Sequence, residues 1–157
     1  MAVATSTDAA RVENISAGPT MAAAYDAEVT RMTALGRHLI VEMWDARNLN
    51  APDALEQGLR EAVDAIDGTL MDVRVHTFPV HGVTGVAVIA ESHIAVHTWP
   101  EYGYAAVDIF TCNLDANVRA GVDALARYLL PGRVVSREVP RGERPVVVAA
   151  QGVGDAR

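Results

Sequence analysis

Residues 86–112 hold three strand-forming runs in close succession, VAVIAES, HIAVHTW and YAAVDIFTC, with the turn PEYG between the second and third. In the second run Ile94, Val96 and Thr98 alternate with His93, Ala95, His97 and Trp99; in the third, Tyr104, Ala106, Asp108, Phe110 and Cys112 share one face. A period of two is the pattern of a half-buried strand. The first run is continuously apolar and predicts a strand buried on both faces. The fold must therefore be built around a sheet here. Two neighbouring strand faces carry imidazoles, a carboxylate and the single thiol, so they make a candidate pocket wall. The plainer alternative is a set of buried His and Asp residues that satisfy each other.

The rest of the chain supplies the elements that cover such a sheet. In GRHLIVEMWDA, Leu39, Val41 and Met43 alternate with His38, Ile40 and Glu42, which predicts a strand over 37–45. Asn50 is expected to cap a helix with Pro52 in its first turn, Leu55, Leu59, Ala62, Val63 and Ile66 on its apolar face, and Gly68 as its stop. TLMDVRVHTF sets Val73, Val75 and Thr77 against Arg74, His76 and Phe78, a strand ended by Pro79. A second helix is expected from about Asp115, burying Val118, Val122, Leu125 and Leu129 and stopping at Pro131-Gly132, before a last strand RVVSREV. The order β-α-β-β-β-α-β predicts an α+β two-layer sandwich: a largely antiparallel sheet with two helices on one face. The opposite face is then bare, and a bare, partly apolar face calls for a partner, most simply a second copy. Residues 1–33 are rich in Ala, Thr, Ser and Asp and read as a mobile extension with a short helix near 21–33; the domain spans 34–142; PRGERP opens a tail over 143–157.

Composition removes several classes of function. With half of its 157 residues hydrophobic, the chain suits one domain with a core and is no disordered protein. A net charge of −7 with no basic run argues against nucleic acid. No apolar run approaches the roughly 20 residues of a membrane helix, and the first residues lack the apolar core of a signal peptide, so a cytoplasmic protein is expected. All 13 basic residues are Arg. Without a lysine there is no internal Schiff base for pyridoxal phosphate, so any amine–carbonyl chemistry must find its carbonyl elsewhere.

The residues alone do not settle the chemistry of the central stretch. His93 and His97 stand about 13 Å apart on a strand, too far to share one zinc, so no metal is expected. Ser92 lacks the G-x-S-x-G elbow of a hydrolase, and Cys112 sits within a strand pattern.

ESHIAVHTWPEYGYAAVDIFTC resembles the signature of the bacterial and archaeal S-adenosylmethionine decarboxylase proenzymes, the short self-processing class. LGRHLIVEMW and HTFPVHGVTGVAVIAES also follow the family pattern, so the resemblance covers roughly residues 34–142. It implies that the Ser92 hydroxyl attacks the Glu91 carbonyl, that the ester formed loses the Ser92 α-proton and the Glu91 carboxylate, and that hydrolysis leaves a pyruvoyl group. The chain then becomes a β subunit, 1–91, and a pyruvoyl-capped α subunit, 92–157. That group would form a Schiff base with the substrate amine, which resolves the absence of lysine. By the same resemblance His97 is the processing residue, Thr84 (where the family usually has Ser) a processing aid, and Cys112 the proton donor in turnover. Phe78 and Trp99 match the aromatics that sandwich adenine, and Glu101 the acid that accepts the ribose hydroxyls. A homodimer of processed protomers, two α and two β chains, is implied as well.

Ser92 and His97 fall on opposite faces of a regular strand, so a bend or bulge between them is expected. Asn113 stands where the family generally has Gly. Three readings remain open at this point: decarboxylation of S-adenosylmethionine toward spermidine, the same pyruvoyl chemistry on ornithine or arginine, and an unprocessed regulatory homologue. Retained Phe78, Trp99 and Glu101 favour the first; retained Glu91-Ser92, His97 and Cys112 speak against the third.

Overall fold

The computed structural model describes residues 29–148. Six strands form an antiparallel sheet in the order β3-β4-β5-β6-β2-β7, with β2 at Gly36–Trp44, β3 at Leu70–Thr77, β4 at Val83–Ile89, β5 at Ser92–Trp99, β6 at Tyr104–Thr111 and β7 at Arg133–Arg141. Two helices, α1 (Pro52–Ala65) and α2 (Val118–Leu129), pack on one face, as the apolar spacing requires.

The core lies between the helices and that face. Leu39, Val41 and Met43 of β2, Ile94 and Val96 of β5, and Val107 and Ile109 of β6 are all at most 1% exposed, against Leu59, Val63, Leu125 and Leu129 from the helices. Burying each such side chain contributes about 1.5–3 kcal/mol, which is why the alternation fixes the register. Gly85 lets α1 lie close to β4: a Cβ there would sit 2.7 Å from the Leu59 side chain.

Several local expectations change. Asn50 does not cap α1. The cap position falls on Ala51, with no side-chain bond, and Asn50 Oδ1 instead accepts the Gly82 N–H at 2.7 Å. A tertiary donor outcompetes the local ones. The left-handed residue ending α1 is Asp67 (φ 57°), one before Gly68. Helix α2 begins at Val118, where Asn117 accepts the Ala120 N–H, because Asn113 Oδ1 first holds the Asp115 N–H in a turn. Strand β4 is buried on one face only: Val88 is 45% exposed.

The two ends of the domain also differ from expectation. Residues 29–33, expected in a helix, form strand β1 (Val29–Thr33), paired in a two-stranded sheet with β8 (Arg144–Val148) from the segment read as a tail. The expected extension over 1–28 and the tail beyond 148 lie outside the described residues. Among the described residues, no helix is long and apolar enough to cross a membrane.

Candidate active site

The sequence-selected residues gather at the two ends of β5. At its far end Phe78, His81, Thr84, His97, Thr98, Trp99 and Glu101 line one open cleft of about 360 Å³. Phe78 follows β3, and its N–H donates to Gly82 O at 3.0 Å, closing the loop that carries His81. Gly82 has φ 95°, and a Cβ there would meet Thr98 O at 2.9 Å, so the loop requires glycine for both reasons. Thr98 is buried: its hydroxyl accepts the Val83 N–H at 2.7 Å and lies 2.8 Å from Leu49 O, an acceptor for its own proton. This pins the cleft floor to the segment before α1.

Within the cleft, Thr84 and His97 are direct cross-strand partners, with Thr84 Oγ1 2.9 Å from His97 Nδ1. Trp99 is 38% exposed and Phe78 47%, so two aromatic faces are open to a flat ligand. Tyr104 lies beside Trp99 with ring centroids 5.3 Å apart, and its hydroxyl donates to Glu42. Burial first, and that bond second, push the phenol up to about 12. Glu101 sits in the short 3-10 turn Pro100–Tyr102, its carboxylate 3.0 Å from His81 Nε2.

The near end of β5 holds Glu91, Ser92 and Cys112. Ala90 and Glu91 form the turn between β4 and β5, closed by the Ile89–Ser92 pair. The Ala90 N–H donates to Thr69 O at 2.9 Å, and the Thr69 N–H donates to Glu91 Oε2 at 3.0 Å. That backbone donor holds the Glu91 carboxyl below the usual carboxylate range. The Glu91 carbonyl accepts the Cys112 N–H at 3.0 Å. Ser92 has φ 148°, a conformation that favours glycine and costs a side-chain-bearing residue about 1–3 kcal/mol. The peptide between Glu91 and Ser92 is therefore strained on one side and carries a hydrogen-bond donor on its carbonyl oxygen. The Cys112 side chain is exposed.

No bend or bulge interrupts β5 between Ser92 and His97; the irregularity is confined to the Ser92 backbone itself, at φ 148°. Strand β5 pairs without a break with β4 on one side and with β6 on the other. The five-residue separation therefore spans about 17 Å, and His97 does not approach the Ser92 of its own chain. Asn113 is not among the residues with positive φ, so the position that the family fills with glycine does not demand it here.

Sequence reasoning missed His81, Thr98 and His93. His81 comes from a turn with no spacing relation to Glu101. Thr98 looked like one more core position of a strand. His93 was weighed only as a zinc ligand, although its Nδ1 lies 3.2 Å from Ser92 Oγ. Among the described residues, no group of three or more His, Cys, Asp or Glu is arranged to hold a metal ion.

A family profile described as S-adenosylmethionine decarboxylase matches residues 37–142. The chain is 45% identical over 112 residues to the S-adenosylmethionine decarboxylase proenzyme of Thermomicrobium roseum, covering 71% of this chain and 97% of that one. It is 44% identical over 113 residues to the proenzyme of the same name from Methanococcus aeolicus, again covering 71% and 97%. The crystal structure of the adenosylmethionine decarboxylase from Aquifex aeolicus superposes with a TM-score of 0.64 at 29% identity, covering 76% of this chain and 97% of that one. With the profile spanning the sheet, both helices and both ends of β5, the chain belongs to the S-adenosylmethionine decarboxylase family.

Proposed function

We propose that the chain is a proenzyme that cleaves itself between Glu91 and Ser92 and then decarboxylates S-adenosylmethionine, giving the aminopropyl donor for spermidine synthesis. The observation that carries this reading is the Glu91–Ser92 peptide, strained at Ser92 and bonded at its carbonyl oxygen to the Cys112 N–H. A donor on that oxygen stabilises the oxyanion that forms when the Ser92 hydroxyl adds to the carbonyl. The residues present fit a pyruvoyl group, since Ser92, at the strained end of the Glu91–Ser92 peptide, holds the atoms from which it would form. Once formed, that group would supply an electron-withdrawing ketone for the substrate amine and a sink for the electrons of decarboxylation.

The remaining roles follow from position. Phe78 and Trp99 hold the adenine between their exposed faces, and Glu101 accepts the ribose hydroxyls at the mouth of the cleft. Cys112, directly after the Ser92–Thr111 pair, returns a proton to the substrate α-carbon. His97, with Thr84 on its Nδ1, removes the Ser92 α-proton during processing. It does so across a two-fold interface. On one chain the two residues are about 17 Å apart. Two copies packed through the bare sheet face, antiparallel to each other, place each His97 near the other's Ser92, and a two-fold contact makes two such sites at once. That face is suited to burial: Ile40, Val88 and Val135 are 36%, 45% and 46% exposed on it. The catalytic domain of this reading is 34–142.

The test is carbon dioxide release by the purified protein from S-adenosylmethionine, ornithine and arginine, with Ser92→Ala as the uncleaved control. Release from S-adenosylmethionine alone is expected. Release only from ornithine or arginine would overturn the substrate assignment, and an uncleaved, inactive chain would overturn the enzyme reading.

A further inference from the structure

The acyl shift and the later loss of the α-proton are separate proton transfers, and one imidazole, that of His93, lies beside the Ser92 hydroxyl in the same chain. We propose that His93 is the general base of the acyl shift, taking the proton from the Ser92 hydroxyl within the same chain. This deepens the self-processing reading above and rests on it.

The geometry is local. A regular strand would send the Ser92 side chain to the face of Ile94 and Val96, away from His93. At φ 148° Ser92 leaves that geometry, and its Oγ lies 3.2 Å from His93 Nδ1. The imidazole is held from behind by Phe110, its direct partner across the β5–β6 pair, with ring centroids 5.9 Å apart in an edge-on contact. Within the chain His97 lies too far from Ser92 to take this proton, and its Nδ1 is engaged by Thr84. The turn is fixed on both sides by Thr69, so the Glu91 carbonyl keeps its place beside Ser92 while its oxygen faces the Cys112 N–H.

The step balances with no outside reagent. With the proton of the neutral ring on Nε2, His93 Nδ1 accepts the proton of Ser92 Oγ. The oxygen forms a bond to the Glu91 carbonyl carbon, and the charge on the carbonyl oxygen is met by the Cys112 N–H. His93 then returns the proton to the Ser92 nitrogen, and the C–N bond breaks. The product is the Glu91 ester of Ser92, with a free α-amine. Strain at Ser92 is released as the peptide bond opens, which offsets part of the cost of exchanging an amide for an ester.

The experiment separates the two histidines by the species that accumulates. His93→Ala, His97→Ala and wild-type full-length chains are purified and followed by intact mass, with and without hydroxylamine, which cuts esters and leaves this peptide bond intact. The wild type should cleave on its own. His97→Ala should hold the ester and be split by hydroxylamine. His93→Ala should remain whole in both conditions, with ester formation at least 10²-fold slower, and free imidazole should restore cleavage. His93→Asn, which keeps a polar atom near the position of Nδ1 but no basic nitrogen, should behave like His93→Ala without rescue, and circular dichroism of each variant should match the wild type. A His93→Ala or His93→Asn chain that forms the ester at the wild-type rate would overturn the proposal while leaving self-processing intact. Failure of the wild type to cleave would overturn the reading beneath it.

Discussion

If His97 acts on the Ser92 of a second copy, two chains that each fail alone must repair each other. Ser92→Ala keeps His97 but has no hydroxyl to attack with; His97→Ala keeps Ser92 but has no base for the α-proton. A positioned base contributes about 10²–10⁴-fold, so pure His97→Ala should cleave slower than wild type by that factor. Coexpressed in equal amounts, the two should form about a quarter, a half and a quarter of each pairing. In the mixed pairing the intact Ser92 of one chain meets the intact His97 of the other. About half of the His97→Ala chains should therefore be cleaved at the wild-type rate and half at the slow rate of pure His97→Ala. Intact mass distinguishes the two chains, so the assay reads the cleaved fraction of the His97→Ala chain directly. The magnitude follows from the unbroken pairing of β5 with both neighbours, which sets the in-chain separation at about 17 Å. A His97→Ala chain as slow in the mixture as alone, with mixed dimers present, would refute the shared site.

Other outcomes test single contacts. Trp99→Ala should raise KM for S-adenosylmethionine roughly five- to 150-fold, the loss of about 1–3 kcal/mol of stacking, and leave the cleavage between Glu91 and Ser92 unchanged. Thr98→Val should lower stability by about 1–3 kcal/mol in urea unfolding, because the buried Val83 N–H and the Leu49 carbonyl both lose their hydroxyl partner. The Tyr104 phenol, raised from 10.0 to about 12, favours the folded state fully below pH 10, and this stability is lost as pH rises through 12. Tyr104→Phe should flatten the fall in unfolding free energy over that window, measured by fluorescence.

Where the alternation was long and the apolar face uninterrupted, the fold was legible: β5, β6 and both helices lie where their periodicity puts them, because each would lose its burial with a shift of one residue. The ends were not. RPVVV is short, follows Pro140 and contains Pro145, so it read as a tail although Arg144–Val148 pairs with Val29–Thr33. Pairing of distant segments leaves no local mark in either. Asn50 shows the same limit at one residue: its spacing before Pro52 suits a cap, and only the folded chain brings Gly82 to compete for it.

The site divides in the same way. Phe78, Thr84, His97, Trp99 and Glu101 could be named from motif position, and the fold gathers them in one cleft. His81 reaches Glu101 only because a loop closed by Gly82 carries it there. The relation of Ser92 to His97 was misjudged for a different reason. A bend inside one strand would have joined them, whereas regular pairing on both sides keeps the two residues apart within one chain.

The central claim is that the Glu91–Ser92 bond breaks by its own chemistry and leaves a ketone. Intact mass of the purified full-length protein, before and after borohydride, tests it directly. The account predicts two fragments, 1–91 and 92–157, with the second lacking an amino-terminal amine and gaining the mass of a reduced carbonyl. A single uncleaved mass under native conditions, or a second fragment beginning with an ordinary Ser92 amine, would contradict it.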